Sequence, residues 1–366
     1  MKSVEEYFVP WVKGIPMYVS GHIDLAWKQP ELHRMMSNEN PFPPSKKVLE
    51  AIEKYAKVAN RYPDQGFKVR EKIAEINNLP GIENVMLGNG SSEVFDNIFR
   101  CLLAPGDEVI QHTPCFGIYK LRCNVLGGKL VSVPMIYKDK QLLFDADAII
   151  NAITPKTKVI VIANPNNPTG NFIDRKDFIR IAETGVPLIS DEAYVEFSGL
   201  SKSNVDLVKK YKNVIVTRTL SKCYGLAGIR FGYALGDKDV IAQISGALIP
   251  WNVGTISMWA ALAGLEDTEA LKERADFNNQ QVAYYEDALK DVKGLDIYHS
   301  YGNYVLFDGT DAGKTGKDML DFALKRGIIM RAQAPMYGRD GWFRITIGTV
   351  EENKMAVKII RDFFAQ

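Results

Sequence analysis

Short apolar runs rich in β-branched residues alternate with amphipathic stretches along most of the chain. Val109-Ile110, Leu130–Val133, Val159–Ala163, Leu188–Ser190, Val214–Val216 and Phe231–Leu235 each predict a buried strand. Between them the spacing predicts helices. Ser45 is placed to cap a helix running to about Ala59, with Val48, Ile52 and Tyr55 on one face. A second helix carries Val69, Ile73 and Ile76, and others are predicted near 146–153, 174–183, 237–247, 254–266 and 268–291. Residues 295–366 read as strand, strand, helix, strand, strand, helix. The pattern is that of an α/β protein with a mainly parallel sheet and a smaller α+β unit at the C-terminal end. Residues 1–40 show no clean period and read as an arm lying on another surface. The expected division is an arm over 1–40, a large domain over 41–265 and a small domain over 266–366.

Composition narrows the class. At 366 residues and 46% hydrophobic, the chain is long enough for two cores. A net charge of +1 gives no field suited to nucleic acid or to an anionic membrane. The four cysteines, Cys101, Cys115, Cys123 and Cys223, lack metal-ligand spacing and read as reduced thiols. The four histidines are scattered, so no metal site is expected. Met1–Glu6 is acidic without an apolar signal core, and no apolar run approaches the ~20 residues of a membrane span. A cytoplasmic protein is the expectation.

Chemistry-bearing residues collect where the predicted strands end. Lys222 follows Thr219-Leu-Ser and is hemmed by apolar and glycine residues, a setting that disfavours its charged form. That is what an imine-forming lysine needs. Asn84–Glu93 runs from a short strand through a glycine-rich turn, with Ser91 or Ser92 opening a helix, and forms a potential anion cradle. Phe116 and Tyr119 follow the next strand, and one or other aromatic there is placed to stack on a planar ring. Asn164–Gly170 contains two Asn-Pro steps, which continue neither a helix nor a central strand, so Asn167 sits in a loop at a strand end. Asp191 ends another strand, with Tyr194 just beyond it. One cofactor fits the set: a pyridine aldehyde phosphate needs a lysine, an acid at the ring nitrogen, a donor at the phenolic oxygen, an aromatic face and a phosphate cradle. Lys222, Asp191, Asn167 with Tyr194, Phe116, and Ser91-Ser92 with Ser221 and Arg230 fill those places.

The chain resembles the fold-type-I pyridoxal-phosphate aminotransferases, in particular the histidinol-phosphate aminotransferase branch. The resemblance rests on Asn38–Pro41, Arg61–Asp64, Gly88–Glu93, Asn164–Gly170, Asp191–Phe197, Thr219–Lys222 with Gly225–Arg230, and Phe343–Thr349. It implies a seven-stranded-type sheet in the large domain and a homodimer with shared sites. Lys222 would carry the cofactor and move the proton at the substrate Cα, and Asp191 would keep the pyridine nitrogen protonated. Asn167 and Tyr194 would bond the phenolic oxygen; Ser91, Ser92, Ser221 and Arg230 would bind the phosphate. Tyr62 would reach the cofactor phosphate of the neighbouring subunit.

For the substrate, the resemblance implies that Arg331 and Arg344 grip an anionic group. In that branch the group is a phosphate on an amine, with glutamate and 2-oxoglutarate sharing the site. Departures from the branch include Phe116 in place of tyrosine, a poorly matching arm and an unusual loop over Pro335–Gly341. Tyr18 of the arm and Arg339 of the loop are further candidates for substrate contact. The leading expectation is amino transfer between glutamate or 2-oxoglutarate and a phosphorylated amine or amino alcohol. The alternatives are decarboxylation of a phospho-amino acid, as in threonine-phosphate decarboxylase, and an aromatic amino acid aminotransferase.

Overall fold

The β-branched runs form one seven-stranded sheet in a computed structural model that describes residues 3–17 and 22–366. In spatial order the strands are Val85–Asn89, Phe231–Leu235, Val214–Thr219, Leu188–Asp191, Thr157–Ala163, Glu108–Thr113 and Lys129–Pro134. Only Phe231–Leu235 runs antiparallel to its neighbours, so the sheet is mainly parallel, as expected. Parallel strands need cover on both faces, which is why these segments are apolar throughout. All six residues of Val214–Thr219 are buried.

Strand order fixes where a ligand binds. From Glu108–Thr113 the chain steps outward to Lys129–Pro134, then returns to Thr157–Ala163 and proceeds the other way across the sheet. The crevice at that reversal lies at the carboxyl ends of the strands, the usual ligand position in open α/β sheets. Register brings the ends level: Ala163 pairs with Asp191, and Asp191 with Thr217.

A second sheet, antiparallel and four-stranded, has the order Asp296–Tyr298, Tyr304–Asp308, Trp342–Thr346 and Arg331–Ala332. Its core, which includes Val305, Phe307, Phe343 and Ile360, is separate from the clusters on the large sheet. The helix Thr268–Leu289 joins the two, packing Leu271 against the first core and Val282, Tyr285 and Leu289 into the second. Helix Val350–Phe364 opens with a capping box between Thr349 and Glu352.

Several boundaries differ from the sequence expectation. The first amphipathic helix is Lys46–Ala56, shorter than the expected run to Ala59, and the next residues turn toward Tyr62. The helix after the glycine-rich turn begins at Gly90, so Ser91 and Ser92 lie in its first turn rather than capping it. The arm contributes a strand: His33–Arg34 pairs in parallel with Ile328–Ile329. A hairpin of Ile136–Lys138 and Gln141–Leu143 was not anticipated. Its turn places Asp139 and Lys140 at φ 49° and 58°, the left-handed pair that a tight hairpin turn demands.

Close approach at one glycine sets the geometry below the site. A Cβ on Gly232 would lie 2.5 Å from Gly90 C and Ser91 N and 3.0 Å from Arg218 O, all backbone atoms that cannot swing away. Gly232→Ala is therefore expected to force the Gly90–Leu102 helix off the sheet at a cost of about 1–3 kcal/mol. Thermal unfolding checks it, and an unchanged midpoint would contradict the close packing.

Candidate active site

Lys222 lies where the chain leaves the strand Val214–Thr219 and turns back into Phe231–Leu235. Leu226 N–H donates to Leu220 O and Gly225 N–H to Lys222 O, so the segment closes on itself and presents the lysine inward. Gly225 takes φ 70°, where a side chain would also press on the Arg274 guanidinium. The Lys222 amine donates to Ser37 O at 3.1 Å and lies 5.7 Å from the Tyr194 ring centre. Burial, aided by the nearby Arg344 guanidinium, pulls its pKa down to about 8.

Asp191 occupies the end of the neighbouring strand and is buried. Tyr119 donates to its Oδ2 at 2.5 Å and Thr217 to its Oδ1 at 3.2 Å. Burial pushes the carboxyl up to about 6, and those two hydrogen bonds limit the rise. Burial likewise raises the Tyr194 hydroxyl. That hydroxyl accepts from Asn38 Nδ2 at 2.9 Å and from Asn167 Nδ2 at 3.4 Å. Asn167 Oδ1 in turn accepts from Arg344, whose other terminal nitrogen donates to Met36 O at 2.8 Å.

The anion cradle lies beside this pair. Gly90, at φ 72°, leaves room that the Arg230 guanidinium fills, and Arg230 itself adopts a left-handed φ of 56°. Arg230 donates to Ser221 Oγ at 3.5 Å and to Ala227 O at 2.9 Å. With the first turn of helix Gly90–Leu102 carrying Ser91 and Ser92, these groups form a cationic, donor-rich end to the pocket.

Every cofactor-side candidate except Tyr62 lines one cavity of 410 Å³, and Arg331 and Arg344 line it too. The two arginines face each other across the strand pair Arg331–Ala332 and Trp342–Thr346. Two candidates lie outside that cavity. Tyr62 is 78% exposed and stacks on Trp251 at 4.5 Å, on the outer surface. Arg339 is not a pocket residue: it is bound by Asp308, by Asp311 at 2.8 Å and by Asp296 at 3.4 Å, so its charge is spent on carboxylates. Tyr18 lies outside the described residues.

Sequence reasoning gave no individual role to Asn38, and it offered Tyr119 only as an alternative to Phe116 for stacking, not as a partner of Asp191. Asn38 belongs to a motif already noted, and its buried position at φ 53° is what turns its amide toward Tyr194. Tyr119 lies in the first turn of helix Ile118–Val125, three residues past Phe116, and the two rings meet edge to face at 6.1 Å. That spacing was the available signal.

The residues fit a pyridine aldehyde bearing an anionic group. A partly deprotonated lysine and a buried carboxylate flank the cavity, an aromatic ring borders it, and an anion cradle stands at one end. Fold and site together define a cofactor-dependent enzyme that acts at an amine-bearing carbon. The family described as aminotransferase class I and II matches residues 31–360, and the chain belongs to it. It is thus a transferase that uses pyridoxal phosphate. A curated relative, the histidinol-phosphate aminotransferase of Akkermansia muciniphila, is 36% identical over 93% of this chain and 92% of its own length. The histidinol-phosphate aminotransferase of Clostridium acetobutylicum superposes with a TM-score of 0.83 at 25% identity, covering 91% of this chain and 99% of its own. That of Sinorhizobium meliloti, solved in complex with pyridoxal 5′-phosphate, shares the fold with a TM-score of 0.85 at 24% identity, over 98% of each chain.

The lowered lysine pKa has a kinetic consequence. Only the neutral amine attacks an aldehyde, so capture of pyridoxal phosphate by the apoprotein is expected to rise roughly fivefold from pH 7 to pH 8 and to level off above that. An ordinary lysine, titrating near 10.5, would instead keep rising about tenfold per unit through pH 9. Stopped-flow absorbance against pH separates the two.

Proposed function

We propose that the enzyme exchanges an amino group between glutamate or 2-oxoglutarate and a phosphorylated amine or amino alcohol of the histidinol phosphate type. The observation that carries this reading is the pair Arg331 and Arg344, opposed across two strands in the lining of the pocket that holds Lys222. Two guanidinium groups side by side suit a phosphate dianion, and they also accept the carboxylate of glutamate. The names of the relatives favour transfer over decarboxylation.

Pyridoxal phosphate, when bound, supplies an aldehyde for amine exchange and an electron sink for the carbanion at Cα. Lys222 would provide the amine that holds the aldehyde and would move the proton at the substrate Cα. Asp191 holds the proton on the pyridine nitrogen, and Tyr119 and Thr217 fix that carboxylate in place. Tyr194 and Asn167 orient the phenolic oxygen. Ser91, Ser92, Ser221 and Arg230 take the cofactor phosphate, and Phe116 borders the ring.

The division into an arm over 1–40, a large domain over 41–265 and a small domain over 266–366 belongs to the same reading; separate hydrophobic cores on the two sheets support it. So does a homodimer in which Tyr62 reaches the neighbouring site. Its supports are the exposed Tyr62–Trp251 stack and the exposed Ile249, which borders the same cleft as Trp251. Among the described residues no helix is long and apolar enough to cross a membrane, and a cytoplasmic location fits a small-molecule enzyme with four free cysteines.

The test is incubation with histidinol phosphate and 2-oxoglutarate. Glutamate formation is expected, with a loss of roughly 10³-fold or more in Lys222→Ala. No glutamate from the wild-type enzyme, or carbon dioxide without glutamate when a phospho-amino acid is supplied instead, would overturn the reading.

A further inference from the structure

We infer that Gln333, rather than Arg339, is the third group that reads the substrate's phosphate, and that it separates a phosphorylated amine from glutamate. This rests on the proposed function.

Gln333 lies two residues beyond Arg331, where its backbone N–H donates to Trp342 O at 2.9 Å. The ladder pairs Arg331 with Arg344 and Ala332 with Phe343. Side chains alternate along a strand, so Gln333 shares a face with both arginines. It lines the same cavity. Its amide nitrogen is buried and, among the described residues, meets no hydrogen-bond acceptor. A buried N–H without a partner is costly and is normally matched, so an acceptor brought by a ligand accounts for it.

The segment that carries Gln333 is held without help from its side chain. Tyr337 stacks on Tyr137 of the hairpin at 5.3 Å and donates to Met135 O at 2.9 Å. Arg339 pairs with Asp296, Asp308 and Asp311, and Lys140 at the hairpin tip holds Asp296 and Asp311 at 2.7 Å each. The arginine that sequence spacing offered as a phosphate contact is therefore a structural clamp. It leaves the neutral carboxamide facing the ligand.

The chemistry distinguishes the two substrates. A carboxylate has two oxygens, and the two guanidinium groups satisfy them. A phosphate monoester has three non-bridging oxygens, and the third needs another donor. A neutral amide supplies it without adding charge that would hold glutamate as tightly.

Gln333→Leu removes the donor at similar volume, and Gln333→Glu places a negative charge against the phosphate while keeping the shape. Steady-state kinetics with histidinol phosphate and with glutamate read the split, with thermal midpoint and cofactor retention as checks on folding. For Gln333→Leu, kcat/KM with histidinol phosphate is expected to fall about tenfold, mostly through KM, with glutamate changed by less than about twofold. Gln333→Glu is expected to lose more with the phosphate substrate. Equal losses on both substrates, or no loss on either, would overturn the inference while leaving the proposed function standing. A wild-type enzyme that turns over no phosphorylated amine would overturn both.

Discussion

Asp191 is buried and Lys222 part-buried at the carboxyl edge of one sheet, lining the same cavity, yet each is held by groups other than its opposite. Asp191 is tied to Tyr119 and Thr217, and Lys222 to the carbonyl of Ser37. Desolvation acts on both, raising the acid to about 6 and lowering the amine to about 8. A direct ion pair would quench the nucleophile and occupy the carboxylate. Keeping them apart leaves an amine free to attack and an acid free to meet a ring nitrogen.

Two consequences follow for the fold. The sheet must bring unrelated segments to a common edge, and the register of Ala163, Asp191 and Thr217 does so. The arm must close over the lysine, and it does so through Ser37, Asn38 and Asn40, with Asn40 donating to Cys223 O at 3.1 Å. The pairing of His33–Arg34 with Ile328–Ile329 anchors that arm on the second sheet. The groups that line the cavity thus come from three parts of the chain. Lys222, Asp191 and the anion cradle belong to the first sheet, Arg331 and Arg344 to the second, and Ser37 and Asn38 to the arm.

The sequence showed the strands and their chemistry because both are local. A β-branched run such as Val159–Ala163, followed by Asn-Pro steps, gives strand and loop without reference to anything distant. The same holds for Lys222 and Asp191, each just past such a run. What stayed hidden depends on which distant segments meet. Tyr119 finds Asp191 across the sheet, Asn38 finds Tyr194 through a left-handed turn, and Arg339 finds three carboxylates that its own surroundings in the chain do not announce. An arginine two residues from a loop glycine looks the same in sequence whether it faces a ligand or a neighbouring aspartate.

The central claim is that Lys222 is the amine that meets the cofactor. Reduction of the pyridoxal phosphate-loaded protein with borohydride, followed by peptide mass spectrometry, tests it most directly. The account predicts a stable pyridoxyl adduct on the peptide containing Lys222 and on no other lysine at stoichiometric loading. Label spread over exposed lysines, or a Lys222 peptide left unmodified, would contradict it.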